Sequence, residues 1–283
     1  MSILDETFEL NNQTKIPKLA FGTWRLKDGD EAHNAVASAL KIGYRHVDTA
    51  FHYFNEKSVG QAIKDSGLKR DQVFLTTKLP AEIKNHDDIL KNFQESLDNL
   101  QTDYVDLYLI HAPWPWSDIN LDYRYDGANQ EAWRTMEEIY QSGRAKAIGV
   151  SNFDVHDLKN LEKIWSVKPA VNQIEFYVGW TQPKIVSYSK SLGIQLEAYS
   201  PLATGGLATQ AEIQKIAEKY RVSVPQTALK YVLQKGILPL PRATKAEHAK
   251  SNADLNFEIS ADDMTILDHI PDTGQARHNV TMG

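Results

Sequence analysis

The chain has 283 residues, 42% of them hydrophobic and 24% charged, with a formal charge of -6 and no cysteine. That balance is ordinary for a globular protein able to bury a large core. It excludes disulfides, thiolate metal sites and a cysteine nucleophile, and it gives the surface no electrostatic reason to seek nucleic acid or an anionic membrane.

The opening MSILDETFEL lacks the basic-then-apolar pattern of a secretory signal. No stretch reaches the ~20 apolar residues of a membrane helix. The expectation is a cytoplasmic protein with small-molecule partners, in which the glycosylation patterns at Asn12 and Asn279 are accidental.

Taken in chain order, FELNNQTKIPKLAFG comes first. Two short extended pieces around a polar Asn-Asn-Gln turn predict a hairpin, placed to cover the floor of a barrel. Short apolar runs then alternate with amphipathic stretches, the pattern of repeated βα units. Eight core strands are expected near 19–23, 46–50, 73–78, 105–111, 145–150, 171–175, 194–199 and 237–241. Runs such as VDLYLIH are apolar almost throughout, as parallel strands buried on both faces are.

A helix is predicted from about 87 to 100, with Ile89, Leu90, Phe93, Leu97 and Leu100 on one face. Thr181 followed by Pro183 marks another start. Ser223 and Gln226 form a capping box ahead of a stripe of Ala228, Leu229, Val232 and Leu233. Ser260 with Asp263 opens a last helix beyond the eighth strand. The alternative, a doubly wound sheet, would carry a G-x-G-x-x-G turn after its first strand, and none occurs. The expected fold is therefore α/β: one (β/α)8 barrel domain over 1–283, closed below by the hairpin.

Barrel enzymes draw their active sites from the C-terminal ends of strands. Asp48, Lys78 and His111 end the second, third and fourth strands, and Tyr53 follows Asp48 in the next loop. A buried ammonium needs a counter-ion, and Asp48 is placed to be that of Lys78. A phenol beside an ammonium is easier to ionise, so Tyr53 would give its proton to an oxygen becoming an alkoxide. His111 would fix that oxygen by a hydrogen bond. Side chains cannot supply hydride, so a nicotinamide or flavin must. Each residue alone also has a packing or capping explanation, and only barrel geometry joins the four.

The sequence resembles the aldo-keto reductases along nearly its whole length. GYRHVDTAFHYFNE is similar to the family's Gly-x-Arg-x-x-Asp-Thr-Ala-x-x-Tyr-x-Asn-Glu signature, and TTKL, LIH, AIGVSNF, NQIE and AYSPL follow in the family's order. The short tail is closest to the bacterial 2,5-diketo-D-gluconate reductase-like branch. The resemblance implies reduction of aldehydes, ketones or α-dicarbonyls by NADPH, a catalytic tetrad of Asp48, Tyr53, Lys78 and His111, and a monomer.

It also implies that Ser151, Asn152 and Gln173 bind the nicotinamide carboxamide and that Tyr199 stacks on the ring. Gly22, Thr23 and Trp24 would line the first-strand rim. Ser200 and Leu202, with Gly205 and Gly206 after them, would pass over the pyrophosphate. Arg242, Ala243, Thr244, His248 and Asn252 would complete the cofactor set, with Lys245 assisting.

Two departures matter. LPRA replaces the usual Ile-Pro-Lys-Ser, and His248 replaces the arginine that meets adenine and the 2′-phosphate. Arg242 still suits a phosphate, so the expectation is NADPH with room for NADH. In the substrate pocket, Ala112 and Pro80 stand where relatives carry aromatics, leaving Trp24, Trp114 and Trp116 to wall it. The competing functions are a non-catalytic nucleotide-binding module on the same fold and, more remotely, metal-dependent hydrolysis. No H-x-H or H-E-x-x-H arrangement supports the latter.

Overall fold

The structure, a computed structural model, describes residues 2–119 and 123–272; Asn279 lies outside them. Strands β1 (Thr7–Glu9) and β2 (Lys15–Pro17) form the antiparallel hairpin, with Phe8 opposite Ile16. Leu10 and Ile16 are buried against Ala20, Phe74, Leu107, Ala147, Ala170 and Leu238, residues at the lower ends of the barrel strands. The polar turn is latched to that end: Asn11 donates to the Pro169 carbonyl at 2.8 Å and Asn12 to that of Lys146 at 3.0 Å. The hairpin thus seals the floor, as its position implies.

Eight parallel strands follow: β3 (Phe21–Gly22), β4 (His46–Asp48), β5 (Phe74–Leu79), β6 (Leu107–Ile110), β7 (Ile148–Ser151), β8 (Val171–Glu175), β9 (Gln195–Tyr199) and β10 (Leu238–Pro239). They pair in sequence order. Backbone hydrogen bonds from Ala20 to Pro239 (3.2 Å) and from Gly22 to Pro241 (3.1 Å) join the first strand to the last. A Cβ on Gly22 would stand 2.9 Å from the Leu240 carbonyl oxygen, so the seam itself requires a glycine there. All eight expected strands are present, most of them shorter than their apolar runs.

Helices α1 (Asp30–Ile42), α2 (Glu56–Asp65), α3 (His86–Leu100), α4 (Asp126–Gln141), α5 (Val155–Glu162) and α6 (Pro183–Ser191) return the chain between successive strands. Helices α7 (Ala211–Tyr220) and α8 (Val224–Gln234) fill the last crossover, and α9 (Ala246–Ala253) and α10 (Ala261–Asp268) follow β10. Helix α3 buries Ile89, Phe93, Leu97 and Leu100 and is capped by Asn85, which accepts from the Asp88 amide. The Ser223–Gln226 box caps α8, and Ser260 caps α10. Helix α6 starts at Pro183, as the Thr181–Pro183 pair implies. Gln182, not Thr181, precedes Pro183, in a left-handed conformation (φ 42°) and without a side-chain cap. The proline's preset φ begins this helix without one.

Candidate active site

The upper rim of the barrel gathers polar side chains that the strand interiors would otherwise exclude. Asp48 is the last residue of β4 and Lys78 the next to last of β5, and both are buried. The ammonium lies 2.7 and 2.9 Å from the two oxygens of Asp48 and donates to the Thr49 carbonyl at 2.8 Å. Its fourth neighbour is the Tyr53 hydroxyl at 3.3 Å. Burial works against the charge on Lys78, but Asp48 and Tyr53 outweigh it and raise the lysine above its ordinary value. The lysine is therefore charged at neutral pH, in contact with Asp48.

Tyr53 ends a 3-10 turn, Phe51–Tyr53, just beyond β4. One buried amide fixes the position of this turn. Asn55 donates to the Thr23 and Leu26 carbonyls, both at 3.0 Å, and accepts from the Thr49 hydroxyl at 2.9 Å. The expected ease of ionisation is corrected here. Burial, and then the negative charge of Asp48, outweigh the pull of Lys78, so the phenol sits above its usual value. Tyr53 holds its proton, which is the form a donor needs.

His111 follows β6, with its ring edge-on to Tyr53 (centroids 5.6 Å apart) and to Trp116 (5.4 Å). Burial, with the positive charge of Lys78 behind it, pushes the imidazole well below its ordinary value, so it is neutral. Its Nδ1 is buried without a partner.

The next cluster is continuous with the first. Ser151 ends β7 and is the register partner of Gln173 on β8. The amide nitrogen of Asn152 donates to the His111 carbonyl (3.0 Å) and to Ser151 Oγ (3.1 Å), while its Oδ1 accepts from the Tyr199 hydroxyl (2.7 Å). The amide nitrogen of Gln173 donates to Asp48 Oδ2 (2.9 Å) and Glu197 Oε2 (2.7 Å). Each amide has two N–H groups, and both are engaged. What the pair has left is carbonyl oxygen.

Farther out, the chain after β9 passes through left-handed conformations at Ser200 (φ 50°), Ala203 (φ 48°), Thr204 (φ 51°) and Gly205 (φ 97°), with Leu202 half-buried and Gly206 buried. Arg242, Thr244, Lys245 and His248 stand exposed at the start of α9, apart from the buried cluster, while Ala243 and Asn252 are buried beneath them. Thr23 is buried and donates to the Asp48 carbonyl at 2.9 Å. Trp24 is 43% exposed, with the Arg25 guanidinium 4.2 Å from its ring centroid. Trp116 reaches His111, whereas Trp114 is half-buried with its indole nitrogen sealed and unpartnered. Sequence reasoning gave no role to Asn55, inside the quoted signature, or to Glu197, inside an apolar strand.

The sequence pattern of the Aldo/keto reductase family matches residues 18–272. This chain belongs to the aldo/keto reductase family. It is 42% identical over 266 residues to the glyoxal reductase of Bacillus subtilis, covering 94% of this chain and 92% of that protein. An aldo/keto reductase from Brucella melitensis has the same fold at a TM-score of 0.87 and 39% identity, covering 93% of this chain and 98% of the other. A Bombyx mori aldo-keto reductase solved in complex with NADP superposes at a TM-score of 0.84 with 33% identity, covering 93% and 92% of the two chains.

The donor set of this aldo/keto reductase fits a nicotinamide. Two neighbouring side-chain amides with only acceptors to offer match the NH₂ of a carboxamide, and between them the Ser151 hydroxyl accepts from Asn152 while donating to the Gln173 main-chain carbonyl at 2.9 Å. Among the described residues no helix is long and apolar enough to cross a membrane.

Proposed function

We propose that this aldo/keto reductase reduces small aldehydes, ketones and α-dicarbonyls to alcohols with NADPH, accepting NADH as a second donor, and that Tyr53 delivers the proton. The α-dicarbonyl class, already expected from the sequence, gains support from the Bacillus subtilis relative, a glyoxal reductase. The observation that carries it is the Lys78 ammonium, fixed by Asp48 and 3.3 Å from a protonated phenol.

When bound, the nicotinamide supplies the hydride. Ser151, Asn152 and Gln173 hold its carboxamide, and Tyr199 packs beside it. Arg242, Thr244, Lys245 and His248 meet the far phosphate, with Arg242 the principal contact. The protein's own task is at the carbonyl oxygen. Lys78 stabilises the phenolate left when Tyr53 gives up its proton, and Asp48 keeps Lys78 charged and aimed. A buried N–H without a partner is costly, so the neutral ring of His111 carries its proton on Nε2 and donates from there to the substrate oxygen. Trp24, Trp116 and, more weakly, Trp114 wall the substrate pocket.

The pairing of β3 with β10 and the family match over 18–272 support one domain across the chain. We place it in the cytoplasm as a monomer. A non-catalytic nucleotide-binding role has no support, since all four groups of the tetrad are assembled. The test is a panel of aldehydes, ketones and α-dicarbonyls run with NADPH and with NADH. Oxidation of neither cofactor by any carbonyl, in protein that binds NADPH, would overturn this reading.

A further inference from the structure

Glu197 lies mid-strand in β9, directly across the ladder from Gln173, and no part of it reaches solvent. Its Oε2 accepts from the Gln173 amide nitrogen at 2.7 Å, and its Oε1 is buried with no partner. A buried carboxyl satisfied on one side only is a cost to the fold. The single contact it does make is therefore informative.

That contact completes a chain across the barrel interior. The Gln173 nitrogen sits between two carboxyl groups, Asp48 from β4 and Glu197 from β9. Turning the amide over would set its oxygen against the Asp48 carboxylate and give up both contacts made by its N–H groups. With Asp48 alone, one N–H would remain free and the side chain could swing about its single hydrogen bond. With Glu197 as well, the orientation is fixed at both hydrogens, and only the carbonyl oxygen is left to face a ligand.

We propose that Glu197 is a positioning residue for the cofactor: by taking the second N–H of Gln173 it holds that amide with its oxygen presented to the nicotinamide carboxamide. The charged and titratable groups facing Glu197 are Asp48 on β4 and Lys78 on β5, beside the neutral Gln173 on β8; from β10 its register partner is Leu238. Burial first, then Asp48, push the Glu197 carboxyl up to about 8, against the smaller pulls of Gln173 and Lys78. It is thus a neutral acceptor at pH 7, and Asp48 remains the counter-ion of Lys78. The inference rests on the cofactor reading given above.

The test is NADPH affinity by fluorescence titration, with thermal unfolding run on every variant to establish that it is folded. Glu197→Met removes the acceptor at similar volume and is expected to weaken NADPH about tenfold. Glu197→Gln restores a neutral acceptor and is expected to recover most of that loss. If Glu197 acts through Gln173, Glu197→Met adds less than about twofold in a Gln173→Ala background. A purely structural role would weaken binding equally in both backgrounds.

Unchanged affinity in Glu197→Met, or effects that multiply in the double variant, would overturn the proposal. Should Glu197→Met not fold, Glu197→Asp, which withdraws the acceptor by one methylene, takes its place. An intermediate loss that vanishes without Gln173 carries the proposal, and no loss sinks it. Wild-type protein that binds no NADPH defeats the cofactor reading instead. Wild-type binding with indifferent Glu197 variants defeats this inference alone.

Discussion

The Lys78 ammonium stands 3.3 Å from the Tyr53 hydroxyl but 2.7 Å from its carboxylate partner Asp48. The lysine is committed to Asp48 and leans on the phenol only as a second neighbour. Burial keeps Tyr53 protonated against the pull of Lys78, and the ammonium remains positioned to stabilise the phenolate once the proton has gone.

Replacing Tyr53 by Phe removes the donated proton and little else. Turnover should fall by ~10²–10⁴, with NADPH affinity within about threefold of wild type, since the carboxamide-facing groups lie on β7 and β8. Steady-state rates and a cofactor titration on the same preparation check both halves.

Lys78→Met leaves Asp48 as a buried anion without its cation. Breaking such a pair costs ~3–5 kcal/mol, which lowers thermal unfolding by on the order of 10 °C in a domain of this size. Asp48→Asn should be milder, because the ammonium keeps the Thr49 carbonyl at 2.8 Å. Calorimetry of the two variants ranks them.

Arg242 is the exposed cation best shaped for a 2′-phosphate. Arg242→Ala should weaken NADPH about tenfold, the worth of one charge-assisted hydrogen bond, and leave NADH within about twofold. Parallel titrations with the two cofactors read the ratio directly. Equal losses for both would place Arg242 elsewhere than at that phosphate.

The raised carboxyl of Glu197 predicts a pH trend in stability. In the folded state it titrates at about 8, against 4.5 for the free group. Its proton is held more tightly by the fold, so the stabilisation is full below 4.5 and is lost as the pH climbs through 8. Glu197→Gln cannot ionise. Its unfolding temperature, minus that of wild type, should rise across that window and level off above it. A flat difference would show that Glu197 is ionised throughout.

Much of this was legible in the chain itself. Near-continuous apolar runs announce buried parallel strands, and polar residues at their ends announce a rim, so Asp48, Lys78 and His111 stand out. The expected 105–111 is a continuous strand only over Leu107–Ile110, yet its ends still pair: Val105 bridges Ala145, and the His111 amide donates to the Leu79 carbonyl at 3.1 Å. The start of α6 was legible because a proline at the first helical position presets its φ and leaves little for a cap to do.

Glu197 was missed for a deeper reason. A strand covered on both faces has no alternation to break, so one inward carboxyl inside QLEAY carries no periodic signal. The sense of the Tyr53 shift was likewise beyond the sequence. Proximity to an ammonium can be guessed from spacing, but the burial that outweighs it depends on the whole rim.

The hairpin that seals the floor makes the bore of this barrel a blind alley. Leu10 and Ile16 stopper its lower end with hydrocarbon, and Asn11 and Asn12 pin the stopper to the loops around it. Among the described residues that plug is apolar, and it offers no polar relay toward the phenol from below. The expectation is that the phenol is reprotonated from the open rim above it, the end at which the substrate arrives.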